Sequence, residues 1–350
     1  MSIDNREVTV PPHFTILQAA NQAGVKIPTL CHSWELIQAS ACRICVVEFE
    51  GGRGLVPACS YPVSEGMKLK TNTEQVLKAR RLVLELLLSD HPLDCMTCEQ
   101  GGACELQDLA YRLNVSGSRF KGEQHRYPVD DSNPFIVRDY NKCVLCERCV
   151  RACDEIQGIT AIDYMRRGFD TKVCTPFDGG YQDQESDCTF CGQCVQACPT
   201  GALTEKKARG LGRAYETQKV RTTCPYCGVG CQLWLHVRDG RITKVTAVKE
   251  GAPNKGRLCL KGRFGYDFIY SEDRLKTPLI RQPDGEFREA SWGEALDLVA
   301  GKFKEIIAEH GPDALAGVSC ARSINEDSYQ MQKLFRAAIG TNNIDHCART

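Results

Sequence analysis

The feature that most limits what this chain can fold into is its cysteines. There are 22 in 350 residues, and all but Cys174, Cys320 and Cys347 fall into five spaced sets. Two sets repeat one spacing, C-x2-C-x2-C-x3-C, at Cys143, Cys146, Cys149, Cys153 and at Cys188, Cys191, Cys194, Cys198. That run is a ligand pattern of paired [4Fe–4S] clusters: three close thiolates hold three corners of one cubane, and the fourth reaches the other cluster. The spacing groups Cys198 with Cys143, Cys146 and Cys149, and Cys153 with Cys188, Cys191 and Cys194. Zinc sites favour two tight pairs instead. Pro199 follows Cys198 as the pattern expects, whereas Asp154 follows Cys153. That departure alters the local turn and not the ligands.

The other sets need more context. Cys31-x10-Cys42-x2-Cys45-x13-Cys59 supplies four thiolates, two for each iron of a [2Fe–2S] centre. A zinc ion on one CxxC pair with two further thiols is the alternative. Arg43 and Gly54 lie in the intervening loops, where backbone N–H groups are available to sulfur and tune potential. Cys95-x2-Cys98-x5-Cys104 leaves a cubane one ligand short, with His91 just upstream. His32 has no such context and reads as a surface or packing residue. The fifth set is Cys224-x2-Cys227-x3-Cys231-x27-Cys259, whose first three members alone also suit zinc. Cys174, Cys320 and Cys347 read as small buried residues.

Charge excludes several functions. Lysine plus arginine equal aspartate plus glutamate at 44 each, well mixed, which leaves no footprint for nucleic acid and no polybasic membrane patch. No apolar run approaches membrane-spanning length, and residues 83–88 read as part of a packed helix. The N-terminus has no basic or apolar leader, and Arg80-Arg81 and Arg166-Arg167 are internal. The expected compartment is therefore cytoplasmic, where thiols stay reduced and dense cysteine points to metal rather than disulfides.

Periodicity and punctuation divide the chain into an α+β multidomain protein. A helix is predicted over residues 14–23, with Phe14, Leu17 and Ala20 or Asn21 on one face and Gly24 ending it. Residues 8–10 and 45–50 read as strands, the latter turned by Gly51-Gly52. Residues 73–89 form a long helical pattern that His91-Pro92 stops. Residues 116–136 read as a connector and 206–218 as a charged linker. Strands are expected over 233–237 and 242–248, helices over 292–310 and 325–339, and a buried strand over 314–318. That alternation is the start of an α/β domain. There is no G-x-G-x-x-G after a strand and no P-loop, so a nicotinamide or flavin would sit on a partner subunit.

These motifs resemble known families. Residues 1–78 are similar to the N-terminal [2Fe–2S] domain, a β-grasp ferredoxin, of the large iron–sulfur subunit of respiratory complex I and of iron-only hydrogenases. Residues 79–120 resemble the segment of that complex I subunit whose [4Fe–4S] cluster takes one histidine and three cysteines. The resemblance makes His91 a ligand beside Cys95, Cys98 and Cys104. A neutral imidazole in place of thiolate raises the cluster potential. Residues 137–208 resemble a two-cluster bacterial ferredoxin. Residues 217–275, with Gly228, Gly230 and the closing Cys259-Leu260-Lys261-Gly262, resemble the N-terminal [4Fe–4S] domain of molybdopterin oxidoreductases. In that family the matching lysine relays electrons between cubane and pterin, which assigns that role to Lys261; an ordinary surface lysine is the plain alternative.

Residues 276–350 look like the incomplete start of the molybdopterin catalytic domain. The segments 319–329 and 339–349 look like formate dehydrogenase. The resemblance as a whole implies the electron-transfer part of a soluble formate dehydrogenase interconverting formate and CO2. Its cofactors would be one [2Fe–2S] cluster and four [4Fe–4S] clusters, with a molybdenum or tungsten bis-pterin guanine dinucleotide in the full-length enzyme. The electron-accepting partner would be an NAD/flavin subunit, a ferredoxin or a hydrogenase module. An iron–sulfur subunit of a complex I-like NADH dehydrogenase and a stand-alone electron-transfer protein are the alternatives. In formate dehydrogenases the selenocysteine or cysteine metal ligand follows shortly after such a segment. An in-frame UGA read as a stop is accordingly expected just past the Thr350 codon, and the downstream nucleotide sequence tests this.

Overall fold

Strand pairing at the N-terminus begins with a tight hairpin. β1 (Ser2–Ile3) and β2 (Arg6–Glu7) are joined by Asp4 and Asn5, both at positive φ. α1 (Ile16–Gln22) follows, then β3 (Val46–Phe49), β4 (Leu55–Pro57) and β5 (Lys68–Lys70). The sheet order is β2-β1-β5-β3-β4, with β1 and β5 parallel and the other pairs antiparallel. In this computed structural model residues 1–52, 54–181 and 186–347 are described. They form two compact units, Met1–Gln218 with Val237–Lys244, and Lys219–His236 with the chain from Val245 onward.

α1 starts at Ile16 because Thr15 caps it: the Thr15 hydroxyl accepts from the Gln18 N–H at 3.3 Å, and the Gln18 side chain accepts from the Thr15 N–H at 2.8 Å. Phe14 therefore stays outside the helix. The buried face is Ile16, Leu17, Ala19 and Ala20, packed on Ile3, Val47 and Leu69, with Cys45 and Cys59 in the same core. Residues 8–10, expected as a strand, carry no regular element; the strand here is β2, which ends at Glu7 and is partnered through the hairpin.

α2 (Glu74–Asp90) is capped by Thr73 and ends at His91, whose extended backbone leads into Pro92. Its buried stripe is Val76, Arg80, Leu84 and Leu88. α3 (Glu105–Leu113) contributes Leu106, Leu109 and Leu113 to a second core with Leu30, Ile44, Leu84, Leu88 and Cys104. Asn114, at φ +55°, provides a left-handed cap to α3. The predicted connector carries no regular element until β6 (Ile136–Arg138), which pairs antiparallel with β9 (Leu203–Glu205). Between them lie α4 (Arg148–Arg151), the antiparallel pair β7 (Asp163–Met165) and β8 (Lys172–Cys174), and α5 (Gln193–Ala197).

β10 (Gln218–Thr223), β11 (Gln232–Arg238) and β12 (Arg241–Ala247) form a three-stranded sheet in that order. In the second unit, α6 (Leu260–Phe264) is followed by the hairpin β13 (Leu279–Arg281) and β14 (Phe287–Glu289), then α7 (Trp292–His310). β15 (Gly317–Cys320), α8 (Asn325–Lys333) and β16 (Ile344–Cys347) form a parallel strand–helix–strand unit. The strand expected at residues 314–318 thus sits three residues later, after a 3-10 turn at Pro312–Ala314, and its Val318 is 78% exposed rather than buried. Ala348 and Arg349, the end of the formate dehydrogenase-like segment, lie outside the described residues, as does Thr350. Among the described residues no helix is long and apolar enough to cross a membrane.

Leu84 joins α2 to Leu30 and Ile44, the neighbours of Cys31 and Cys45. Leu84→Ala removes a fully buried side chain and is expected to cost about 2–5 kcal/mol, read as faster hydrogen exchange in α2 and α3.

Candidate metal centres

The first cysteine set is built on the sheet core and the loop that follows α1. Cys31 and Cys42 face each other, the Cys31 N–H donating to Cys42 Sγ at 3.4 Å and the Cys42 N–H to Cys31 Sγ at 3.5 Å. Cys45 and Cys59 are joined through their thiols, with the Ser40 hydroxyl 3.6 Å from Cys59 Sγ. The loop bends through Ser40 and Arg43, both at positive φ. A hydrogen bond from the Cys42 thiol holds Cys31 down to about 6, and one from Cys45 holds Cys59 down to about 6. Cys42 and Cys45, as donors in buried surroundings, are pushed well above the usual thiol range. Arg80, almost wholly buried, donates to Val46 O at 2.8 Å, and its charge acts on Cys45.

The second set depends on where α2 stops. His91 Nδ1 lies 2.8 Å from Pro92 O, so this nitrogen carries the proton and Nε2 presents its lone pair. Nε2 is buried and has no partner. Burial also lowers the His91 pKa, which keeps the ring neutral, as a ligand must be. Cys104 sits at the N-cap of α3, pushed up to about 11 by burial, with Cys98 and Cys95 as its electrostatic neighbours. Gly101 is required in the turn, because a Cβ there would stand 2.6 Å from Cys95 O. The Arg213 guanidinium clamps the same turn by donating to Cys98 O and Met96 O.

The third and fourth sets assemble crosswise. Cys143, Cys146, Cys149 and Cys198 line one cavity together with Ile162, Val173 and Leu203. Burial pushes Cys143 up to about 11 and Cys146 up to about 12, and raises Cys149 well above its usual value. Cys198 acts on all three. Cys153, by contrast, interacts with Cys188, Cys191 and Cys194. Cys198 ends α5 because Pro199 cannot continue it, whereas Cys153 lies inside a π-helical stretch, Ala152–Gln157, that Asp154 prolongs to Gly158 at φ +75°. The Pro-to-Asp departure has thus changed the turn.

Two arginines flanking Cys149 lace three of the sets together. Arg148 donates to Leu30 O at 3.3 Å and to both carboxylate oxygens of Glu105 at 2.8 Å. Arg151 donates to Cys31 O at 2.6 Å and to Cys146 O at 3.3 Å. The Glu105 N–H donates to Pro199 O at 2.9 Å, and a Cβ on Gly201 would stand 2.6 Å from Cys98 Sγ. Nothing in the spacing of the cysteines signals these contacts; the arginines read as ordinary charges in sequence.

The fifth set lies between β10 and β11, with Cys259 at the N-cap of α6. Cys224 and Cys231 are joined through the backbone at 2.8 Å, and both interact with Cys227 and Cys259. Lys261 is exposed on α6. Among the described residues, no three His, Cys, Asp or Glu side chains converge on a point that would suit one ion. A cubane instead takes each thiolate on its own iron. Cys174 is buried as expected, but Cys347 is exposed and Cys320 only half-buried, aligned as partners across β15 and β16.

Five family descriptions match consecutive stretches. They are a 2Fe-2S iron-sulfur cluster binding domain over residues 1–74 and the NADH-ubiquinone oxidoreductase-G iron-sulfur binding region over 80–119. The NADH-quinone oxidoreductase subunit 3 ferredoxin-like domain covers 133–204. The molybdopterin oxidoreductase Fe4S4 domain covers 217–271, and molybdopterin oxidoreductase covers 274–350. Taken together, these matches make the chain similar to the N-terminal part of multi-cluster molybdopterin oxidoreductases related to the iron–sulfur subunits of NADH-quinone oxidoreductases.

Its relatives include the NADPH-Fe(3+) oxidoreductase subunit alpha of Geobacter sulfurreducens, 41% identical over 100% of this chain and 40% of the relative. An NADH-quinone oxidoreductase subunit of Rhizobium meliloti is 39% identical over 100% and 40%. A putative formate dehydrogenase of Staphylococcus aureus is 32% identical over 100% and 39%. The chain thus spans about 40% of the length of these relatives. A crystal structure of an NAD+-reducing [NiFe]-hydrogenase is similar at a TM-score of 0.56, with 31% identity over 61% of this chain and 89% of that one.

In apoprotein, ultraviolet thiolate absorbance followed against pH should show a step near pH 6 that Cys31→Ser and Cys59→Ser remove, and a step near pH 11 that Cys104→Ser and Cys143→Ser reduce.

Proposed function

We propose that this chain is the electron-transfer part of a formate dehydrogenase, carrying electrons between a pterin-bound molybdenum or tungsten and a partner subunit. The orphaned, buried Nε2 of His91 is the observation that carries the cluster reading, because a lone pair held there without a partner suits a metal. Cys31, Cys42, Cys45 and Cys59 would hold a [2Fe–2S] cluster. His91 with Cys95, Cys98 and Cys104 would hold a [4Fe–4S] cluster, as would each crosswise set and Cys224, Cys227, Cys231 and Cys259. When bound, these groups supply one-electron carriers in series. The chain's own residues exclude water around the thiols, hold the imidazole neutral and fix the sets to one another through Arg148 and Arg151. Lys261 would stand between the fifth set and the pterin.

Formate is the proposed substrate because segments 319–329 and 339–349 look like that family, and putative formate dehydrogenases are among the relatives. A second reading has its own support: relatives at 41% and 39% identity are named as NADPH-Fe(3+) and NADH-quinone oxidoreductase subunits. Both readings need an electron-exchanging partner subunit. The deciding experiment is anaerobic addition of formate to the full-length enzyme with the clusters followed by EPR. Reduction by formate and not by NADH or NADPH supports the first reading; reduction by a nicotinamide through the partner, with none by formate, overturns it. Independently, His91→Cys should lower the potential of one [4Fe–4S] cluster, since thiolate adds negative charge, and leave the others in place.

A further inference from the structure

Arg138, at the end of β6, is 95% buried, since only 5% of its surface is exposed. Burying a guanidinium requires compensation. Its Nη2 donates to Asp130 Oδ2 at 2.9 Å, and its charge lies over two rings, 4.7 Å from the Tyr140 centroid and 4.5 Å from that of Tyr181. These contacts leave Nε and Nη1 buried with no hydrogen-bond partner. An arginine with unsatisfied donors in an apolar site is unusual enough to need a reason. Arg138 is also among the residues lining the cavity formed by Cys143, Cys146, Cys149 and Cys198. Its charge acts on Cys143 in that set and on Cys188 in the other crosswise set. The nearby Lys172 is already paired with Asp178 at 2.6 Å.

We infer that Arg138 sets the reduction potentials of the two crosswise cubanes, its buried charge shared between them and its free Nε–H and Nη1–H serving as donors to cluster or thiolate sulfur of the Cys143 set. This rests on reading both sets as cluster sites. Reduction adds an electron, and hence negative charge, to a cubane. A fixed cation in low dielectric favours the reduced form and raises the potential. Asp130 holds the guanidinium and offsets part of its charge. Arg138 and Asp130 should therefore act in opposite directions, which a purely structural role does not produce.

The test is an EPR-monitored redox titration of the full chain carrying its clusters, with iron and sulfide measured on each sample. Arg138→Gln should shift both ferredoxin-type midpoints down by at least tenfold in reduced-to-oxidised ratio, about 59 mV for one electron. Arg138→Lys keeps the charge and should fall less, and Asp130→Asn should shift the same midpoints up. The [2Fe–2S] midpoint should stay in place in all three. Full cluster content in Arg138→Gln with unmoved midpoints would overturn the inference. If that variant loses its clusters, unmoved midpoints in Asp130→Asn overturn it instead. Absence of these clusters from the unmodified chain would be the failure of the cluster reading itself.

Discussion

Most of the clustered cysteines concentrate potential negative charge in surroundings that resist it, Cys31 and Cys59 being the exceptions. Burial raises Cys104, Cys143 and Cys146 well above the usual thiol range, so without metal these groups stay protonated and neutral. Cluster binding must release those protons, and it draws on metal–sulfur bonding to do so. Much of the fold can be understood from this conflict. Short helices and tight turns bring thiols together, apolar side chains keep water out, and a few buried or half-buried arginines moderate the charge.

The arginines divide into two kinds. Arg148, Arg151 and Arg213 spend their donors on carbonyl or carboxylate oxygens at or beside the cysteine sets and so hold geometry, while the charges of Arg148 and Arg151 also reach Cys146 and Cys31. Arg80 and Arg138 lie deeper, and their charge acts on the cysteines themselves. The distinction matters energetically. A hydrogen bond to a backbone carbonyl fixes where a loop runs, whereas a cation in low dielectric changes the relative stability of two charge states.

The cysteine sets proposed as ligands stand out in sequence because metal chemistry imposes short, fixed separations. The crosswise grouping of Cys198 and Cys153 followed from spacing, and the structure brings those same cysteines together. His91 needed more, since spacing left a ligand missing and only a family resemblance named it. Other features were not legible. Thr15 moved the start of α1 past Phe14, because a cap outranks periodicity at a helix end. The exposure of Cys347 and Val318 could not be read from apolar composition, which does not say which face of a strand finds a partner. The arginine contacts join residues more than a hundred positions apart, beyond the reach of any local pattern.

Those long-range ties have a bearing on comparison between chains. The spacing C-x2-C-x2-C-x3-C tells a reader that cubanes can be held, but not what stands beside them. Here the residue just before Cys149 and the second residue after it are arginines whose targets lie at Leu30, Glu105 and Cys31. A two-cluster module standing alone would have no such targets to reach. Cations at those two places are thus a written trace of neighbours, by which a module built into a longer conduit can be told from one that works by itself.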